Sequence, residues 1–291
     1  PITDYLPELK GLKTALGIKQ TPLLRKITIR DLMRHTSGLS FSTAGSFSIE
    51  DTRDERLGKI VASFSITHAP GSLWDYGIST DLLGYVVERV SKKTLYDYFE
   101  QRIFKPLGMV DTHCWLPPKK RNRLATLYSS YEKGTLEADL SPAEVSLSSK
   151  QKFCSGGGGL ISTAPDYMKF LMMIEAGGSI DGVTILRESS IQLMRENQLP
   201  DNHGWINLND EPEPREGLHF GLGFSVRDKL SAWDPDSRLG EYGWGGLFST
   251  HYWVSPKDRL IVVTFEQTLP YSSMTARSVK GLIYDALQSE E

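Results

Sequence analysis

The texture of the chain changes near residue 218, and that change constrains the fold more than any other feature. Before it, apolar residues recur at three- and four-residue spacing; after it, segments 218–226, 242–254 and 259–266 are rich in aromatic and β-branched residues and read as strands. Ser255-Pro256-Lys257-Asp258 reads as a hairpin turn between the last two. A helix over 272–287, with Val279, Leu282, Ile283 and Ala286 as its apolar face, closes the chain. A helical middle, an antiparallel sheet and a final helix make an α+β pattern.

The helical part carries its own punctuation. Thr28 is placed to cap a short helix through Ile29, Leu32 and Met33, with Gly38 as its stop. A loop over 40–48 precedes a helix over 50–64, and Pro70-Gly71 marks a turn. Ser79 is placed to cap a helix that buries Leu82, Leu83, Val86, Val87 and Val90. Further helices are expected over 94–103, from Thr163 to Gly177-Gly178 with Pro165 in the first turn, and over 189–197. Segments 117–152 and 200–217 read as surface connections. With no internal repeat or long linker, 1–291 reads as one domain: a mostly helical region over 27–200, then strands and the closing helix over 218–291.

Several function classes are disfavoured at this stage. Lys and Arg number 33 against 36 Asp and Glu, a net charge of -3, which gives no general attraction to nucleic acid or anionic lipid. The most apolar run, 260–265, is far short of the roughly 20 residues of a membrane helix. The six histidines show no metal-ligand spacing, so no metal is expected. Gly156-Gly157-Gly158-Gly159 is followed by no Lys-Ser or Lys-Thr, which favours close backbone packing over a phosphate loop, and no cofactor is expected. Cys114 and Cys154 are either two buried thiols or one bridge.

A set of short segments in fixed order carries the functional reading. These are Ile27-Thr28-Ile29-Arg30-Asp31-Leu32-Met33-Arg34-His35-Thr36-Ser37-Gly38-Leu39, Pro70-Gly71-Ser72-Leu73-Trp74-Asp75-Tyr76 with Ser79-Thr80-Asp81-Leu82-Leu83-Gly84, Phe104-Lys105-Pro106-Leu107-Gly108-Met109, 156–162, and Gly243-Trp244-Gly245-Gly246. Together they resemble the serine β-lactamase and penicillin-binding-protein-like family over nearly the whole chain. The Trp-Gly-Gly element points to its class C β-lactamase-like carboxylesterases, the family VIII esterases. The resemblance implies a β-lactamase/DD-peptidase-like fold, an antiparallel sheet flanked by helices.

That family's chemistry uses a Ser-x-x-Lys pair, a Tyr-x-Asn loop and a Lys-Thr-Gly strand. The resemblance places Ser-x-x-Lys ahead of the segment matched by residues 1–9, so the fold is expected to be N-terminally incomplete here. The nucleophile and its Lys are then expected upstream of residue 1, and residues 1–291 alone are expected to be inactive. A separate N-terminal segment carrying the nucleophile is one expected partner. The internal match, Ser149 and Lys152, sits in an expected loop and is set aside. By resemblance Tyr76 is the general base or proton relay beside the Lys. Ile78 stands where β-lactamases keep Asn, and Trp244-Gly245-Gly246 stands for Lys-Thr-Gly, with the N–H of Leu247 or a neighbour completing the oxyanion hole. Losing the cation at Trp244 favours a neutral ester as the small-molecule substrate. A β-lactamase or D-alanyl-D-alanine peptidase acting on a β-lactam or peptide, and a non-catalytic binding protein of the same fold, are the alternatives. Asp81 and His251 lie near these motifs without an assigned role, and the sequence names no compartment.

Overall fold

A computed structural model describes residues 1–14, 21–22, 25–40, 55, 57–58, 66–129, 135–138, 154–200, 203–208 and 214–288. The expected helix over 50–64, most of the loop over 40–48, and the Ser149 and Lys152 pair lie largely or wholly outside these residues.

The fold is α+β. Five strands, β1 (Leu218–Phe220), β2 (Ser225–Arg227), β3 (Tyr242–Gly245), β4 (His251–Ser255) and β5 (Leu260–Thr264), form an antiparallel meander in the order β5-β4-β3-β2-β1. Two of the expected strands are therefore hairpins. Segment 218–226 folds back between Phe220 and Ser225, with Gly223 at φ 96° in the turn. Segment 242–254 folds back through a tight turn in which the Gly246 N–H donates to the Thr250 carbonyl at 2.7 Å and Ser249 takes φ 65°. Gly246 and Ser249 mark that second turn, but the aromatic and β-branched residues around them read as one continuous strand in the sequence. The turn between β4 and β5 is as expected, with Ser255 opposite Leu260.

Period-2 alternation gives the sheet two faces. On one, Phe224, Val226, Tyr242 and Val254 pack against Leu171, Met173 and Ile174 of helix α4 (Ala164–Glu175) and Ile191 of α5 (Glu188–Arg195). Thr163 caps α4 as expected, accepting from the Asp166 N–H. On the other face lies α6 (Met274–Gln288). It turns Ala276, Lys280 and Tyr284 inward, whereas Leu282, placed on the apolar face by sequence, is 71% exposed. Electrostatics overrides apolar spacing: Lys280 reaches Glu241 at 2.8 Å and Asp234 at 3.1 Å, and Tyr284 bonds Glu241.

The helical region builds a second core. Helix α1 (Ile29–Met33) opens with a capping box between Thr28 and Asp31. Asp31, buried, also accepts from Arg25 at 2.7 and 2.9 Å, Arg34 at 3.2 Å and Thr36 at 3.1 Å. Burial pushes its carboxyl up, but these bonds outweigh that and hold it well below the usual range. The helix stops at Met33 because His35 enters the left-handed region at φ 55°, ahead of the Gly38 expected to end it.

Helix α2 (Ser79–Ser91) buries Leu82, Gly84, Tyr85 and Glu88, while Val90 is exposed. Ser79 does not cap it: Ile78 occupies that place without a side-chain bond, and the Ser79 hydroxyl pairs with Ser37 at 2.8 Å. Glu88 instead accepts from the Leu95 N–H at 2.7 Å, fastening α2 to α3 (Leu95–Phe99), which continues as a π turn over Glu100–Phe104. Cys114 and Cys154 form one bridge, Cα to Cα 5.7 Å.

Candidate active site

The site begins with a loop held from behind. The Asp75 N–H donates to the His35 carbonyl at 2.9 Å and the Gly71 N–H to the Thr36 carbonyl at 2.7 Å. A Cβ on Gly77 would strike the Leu39 carbonyl, so only glycine lets the two segments touch there. Ile78 is buried beside Leu32 and Leu82, and the position matching the family's Asn contributes no polar group. Tyr76 is thus fixed at a crossing of two backbones, and its ring faces the cleft.

Trp244 reaches the same point from β3. Its ring centroid lies 5.2 Å from that of Tyr76 and 5.1 Å from Phe220. Its indole N–H, a donor only, faces the Tyr76 hydroxyl and favours its phenolate form. Burial pushes the Tyr76 phenol up, the indole N–H opposes this, and Asp81 adds to the rise. The tyrosine is therefore protonated at neutral pH in the residues described. A cation placed nearby would bring it down.

Beyond Trp244 the backbone has little room for side chains. A Cβ on Gly245 would come within 2.9 Å of the His251 imidazole, and one on Gly246 would strike the Thr250 hydroxyl. The Gly246 N–H is spent on the turn, which removes it as an oxyanion donor. The Leu247 N–H has no acceptor among the described residues, and its side chain is 69% exposed. His251 shares a bond with the Tyr271 hydroxyl at 3.0 Å, away from Tyr76.

The opposite wall is the glycine run. The bridge to Cys114 pins it at Cys154, and reciprocal backbone bonds between Ile161 and His113, 2.8 and 2.9 Å, pin its far end. Gly156 lies against Gly84 of α2, where either Cβ would crowd the other backbone, and Gly157 leaves room for the Asp81 carboxylate, which accepts from Ser155. Close packing, the reading preferred from sequence, is what these two glycines do, and Asp81 ties the run to the tyrosine helix. Tyr76, Trp244, Gly245, Gly246, Leu247 and the run line one cleft of about 1290 Å3. Among the described residues no three His, Cys, Asp or Glu side chains gather as metal ligands.

Sequence reasoning missed His35. It is fully buried among Tyr76, Trp74 and Phe220, and burial pulls its imidazole down to about 3. Its place in the motif beginning at Ile27 was the available signal.

Fold and cleft define a protein of the β-lactamase/transpeptidase type, and solved structures agree. The LovD9 mutant of simvastatin synthase from Aspergillus terreus superposes with a TM-score of 0.77 at 24% identity, covering 99% of this chain and 77% of that one. The family model described as Beta-lactamase matches residues 1–280, and the chain belongs to that family of serine hydrolases. Protein Rv1367c of Mycobacterium tuberculosis is 34% identical over 294 residues, 95% of this chain and 72% of its own length. Lovastatin esterase of Penicillium rubens is 26% identical over 288 residues, 89% of this chain and 70% of its own length. The family around this chain thus includes esterases and acyltransferases that act on small molecules. No helix among the described residues is long and apolar enough to cross a membrane.

Proposed function

We propose that the complete protein hydrolyses carboxylic esters through an acyl-enzyme. The observation that carries this is the contact between Tyr76 and Trp244 at the floor of a cleft edged by Gly245, Gly246 and Leu247. On this reading a Ser-x-x-Lys pair ahead of Pro1 supplies the nucleophile, and the Lys cation lowers the Tyr76 phenol that the apolar surroundings raise. Tyr76 takes the serine proton as the hydroxyl adds to the ester carbonyl, then returns it to the departing alcohol. The oxyanion is held by the Leu247 N–H and the nucleophile's own N–H. Water repeats the sequence on the acyl-enzyme.

Trp244 supports an ester over a β-lactam or peptide. It brings no positive charge to the strand position where a carboxylate would be held, and it surrounds the reacting group with Phe220 and Trp74. The name of the lovastatin esterase is in keeping with that class. The test compares a short-chain nitrophenyl ester with a chromogenic cephalosporin on the full-length protein. Faster ester turnover is expected; a cephalosporin preference overturns the substrate class, and no turnover of either overturns the enzyme reading.

A further inference from the structure

His35 takes no part in the reaction outlined above, yet its ring packs directly on that of Tyr76. Its ring centroid lies 4.7 Å from that of Tyr76, tilted by 50°, and meets Phe220 edge-on at 5.4 Å and Trp74 at 6.2 Å. Nδ1 is buried and has no hydrogen-bond partner among the described residues. An orphaned ring nitrogen weakens a core, so stability alone would favour an apolar side chain at this position. The backbone is unusual as well. At φ 55° His35 sits in the left-handed region, and from there its carbonyl receives the N–H of Asp75, the residue before Tyr76. One residue therefore grips the tyrosine loop twice, through its backbone and through its ring.

We propose that His35 is the positioning residue for Tyr76: the flat imidazole, wedged between Phe220 and the phenol ring, sets the angle at which the hydroxyl meets the indole N–H of Trp244 and the reacting serine. This rests on the reading of Tyr76 as proton relay. A flat ring does this where a round side chain of similar bulk does not, because only a flat ring fixes the tilt of its neighbour. The imidazole stays uncharged through the working range of pH, so it supplies shape without competing for the charge of the phenolate.

The test pairs His35→Phe with His35→Leu in the full-length protein. Both put an apolar side chain at the same left-handed backbone, so they share its strain, but only Phe keeps a flat ring. We expect His35→Leu to lower kcat about 30- to 100-fold with KM within about threefold, and His35→Phe to stay within about fivefold of wild type. In a Tyr76→Phe background His35→Leu should cost nothing further, since it acts through the tyrosine. Equal rates for Leu and Phe, or an undiminished loss in the Tyr76→Phe background, overturn the proposal. Should the Leu variant fail to fold, His35→Asn, which tolerates the left-handed region and removes the ring, is expected to show the same kcat loss; wild-type kcat there overturns it. If Tyr76→Phe alone turns over normally, the relay reading falls and this inference falls with it. A slow Tyr76→Phe beside a normal His35→Leu sinks only the role of His35.

Discussion

Replacing Trp244 by Phe removes the indole N–H while keeping an aromatic ring in the site. Phe keeps an aromatic ring against Tyr76 and Phe220, whose ring centroids lie 5.2 and 5.1 Å from that of the indole, but it is smaller and loses, with part of the fused ring, the N–H positioned to hydrogen-bond the Tyr76 phenolate. In the relay the tyrosine spends part of the cycle as phenolate, so this hydrogen bond is charge-assisted and contributes about 2 kcal/mol. At 1.36 kcal/mol per pKa unit its loss raises the phenol by about 1.5 units. The same energy withdrawn from the transition state slows kcat about 30-fold. The assay is hydrolysis of a short-chain nitrophenyl ester by the full-length enzyme from about pH 6 to about pH 10, with a thermal melt as control. The acid limb of the kcat profile should move up by about 1.5 units while the melting temperature shifts by only a few degrees. A rate within about threefold of wild type and an unmoved limb would refute the argument that the indole N–H sustains the relay.

Three further outcomes concern the scaffold. Asp31→Asn should destabilise the fold by about 2–3 kcal/mol at neutral pH, because the carboxylate accepts from Arg25, Arg34, Thr28 and Thr36 while buried. Its folded pKa lies below the unfolded value of about 3.9, so its contribution is complete above that pH and is lost as pH falls through the folded pKa; denaturant melts should show wild type and variant converging below about pH 4. Gly156→Ala should cost about 1–3 kcal/mol by driving a methyl into the Thr80 carbonyl and Gly84, whereas Gly158→Ala, whose Cβ would meet nothing within 4 Å among the described residues, should melt like wild type. Cys114→Ser should cost about 4 kcal/mol, since the bridge closes a loop across a sequence separation of 40, and reductant should lower the melting temperature of wild type but not of the variant.

What the sequence disclosed follows from the range of the forces involved. Thr28 with Asp31, and Thr163 with Asp166, announce helices because capping is settled within four residues. The strand character of 218–264 was legible from composition, but its subdivision depended on single backbone angles at Gly223 and Ser249. The inward face of α6 was misread because Lys280 becomes a buried residue only when Asp234 and Glu241 arrive from elsewhere in the chain. Tyr76 and Trp244 were legible only as members of motifs. That they touch, and that Gly246 loses its N–H to the turn while Leu247 keeps its own open, are tertiary facts. Glu88 reaching the start of α3 and His35 seated under the tyrosine belong to the same kind.

The most direct test of the ester-hydrolase account is covalent. The full-length protein and its Tyr76→Phe variant would be treated with a fluorophosphonate and weighed intact over time. The account predicts one adduct per chain, on a serine ahead of Pro1, forming at least about 100-fold more slowly in the variant. No adduct, or labelling of the variant at the wild-type rate, would contradict it.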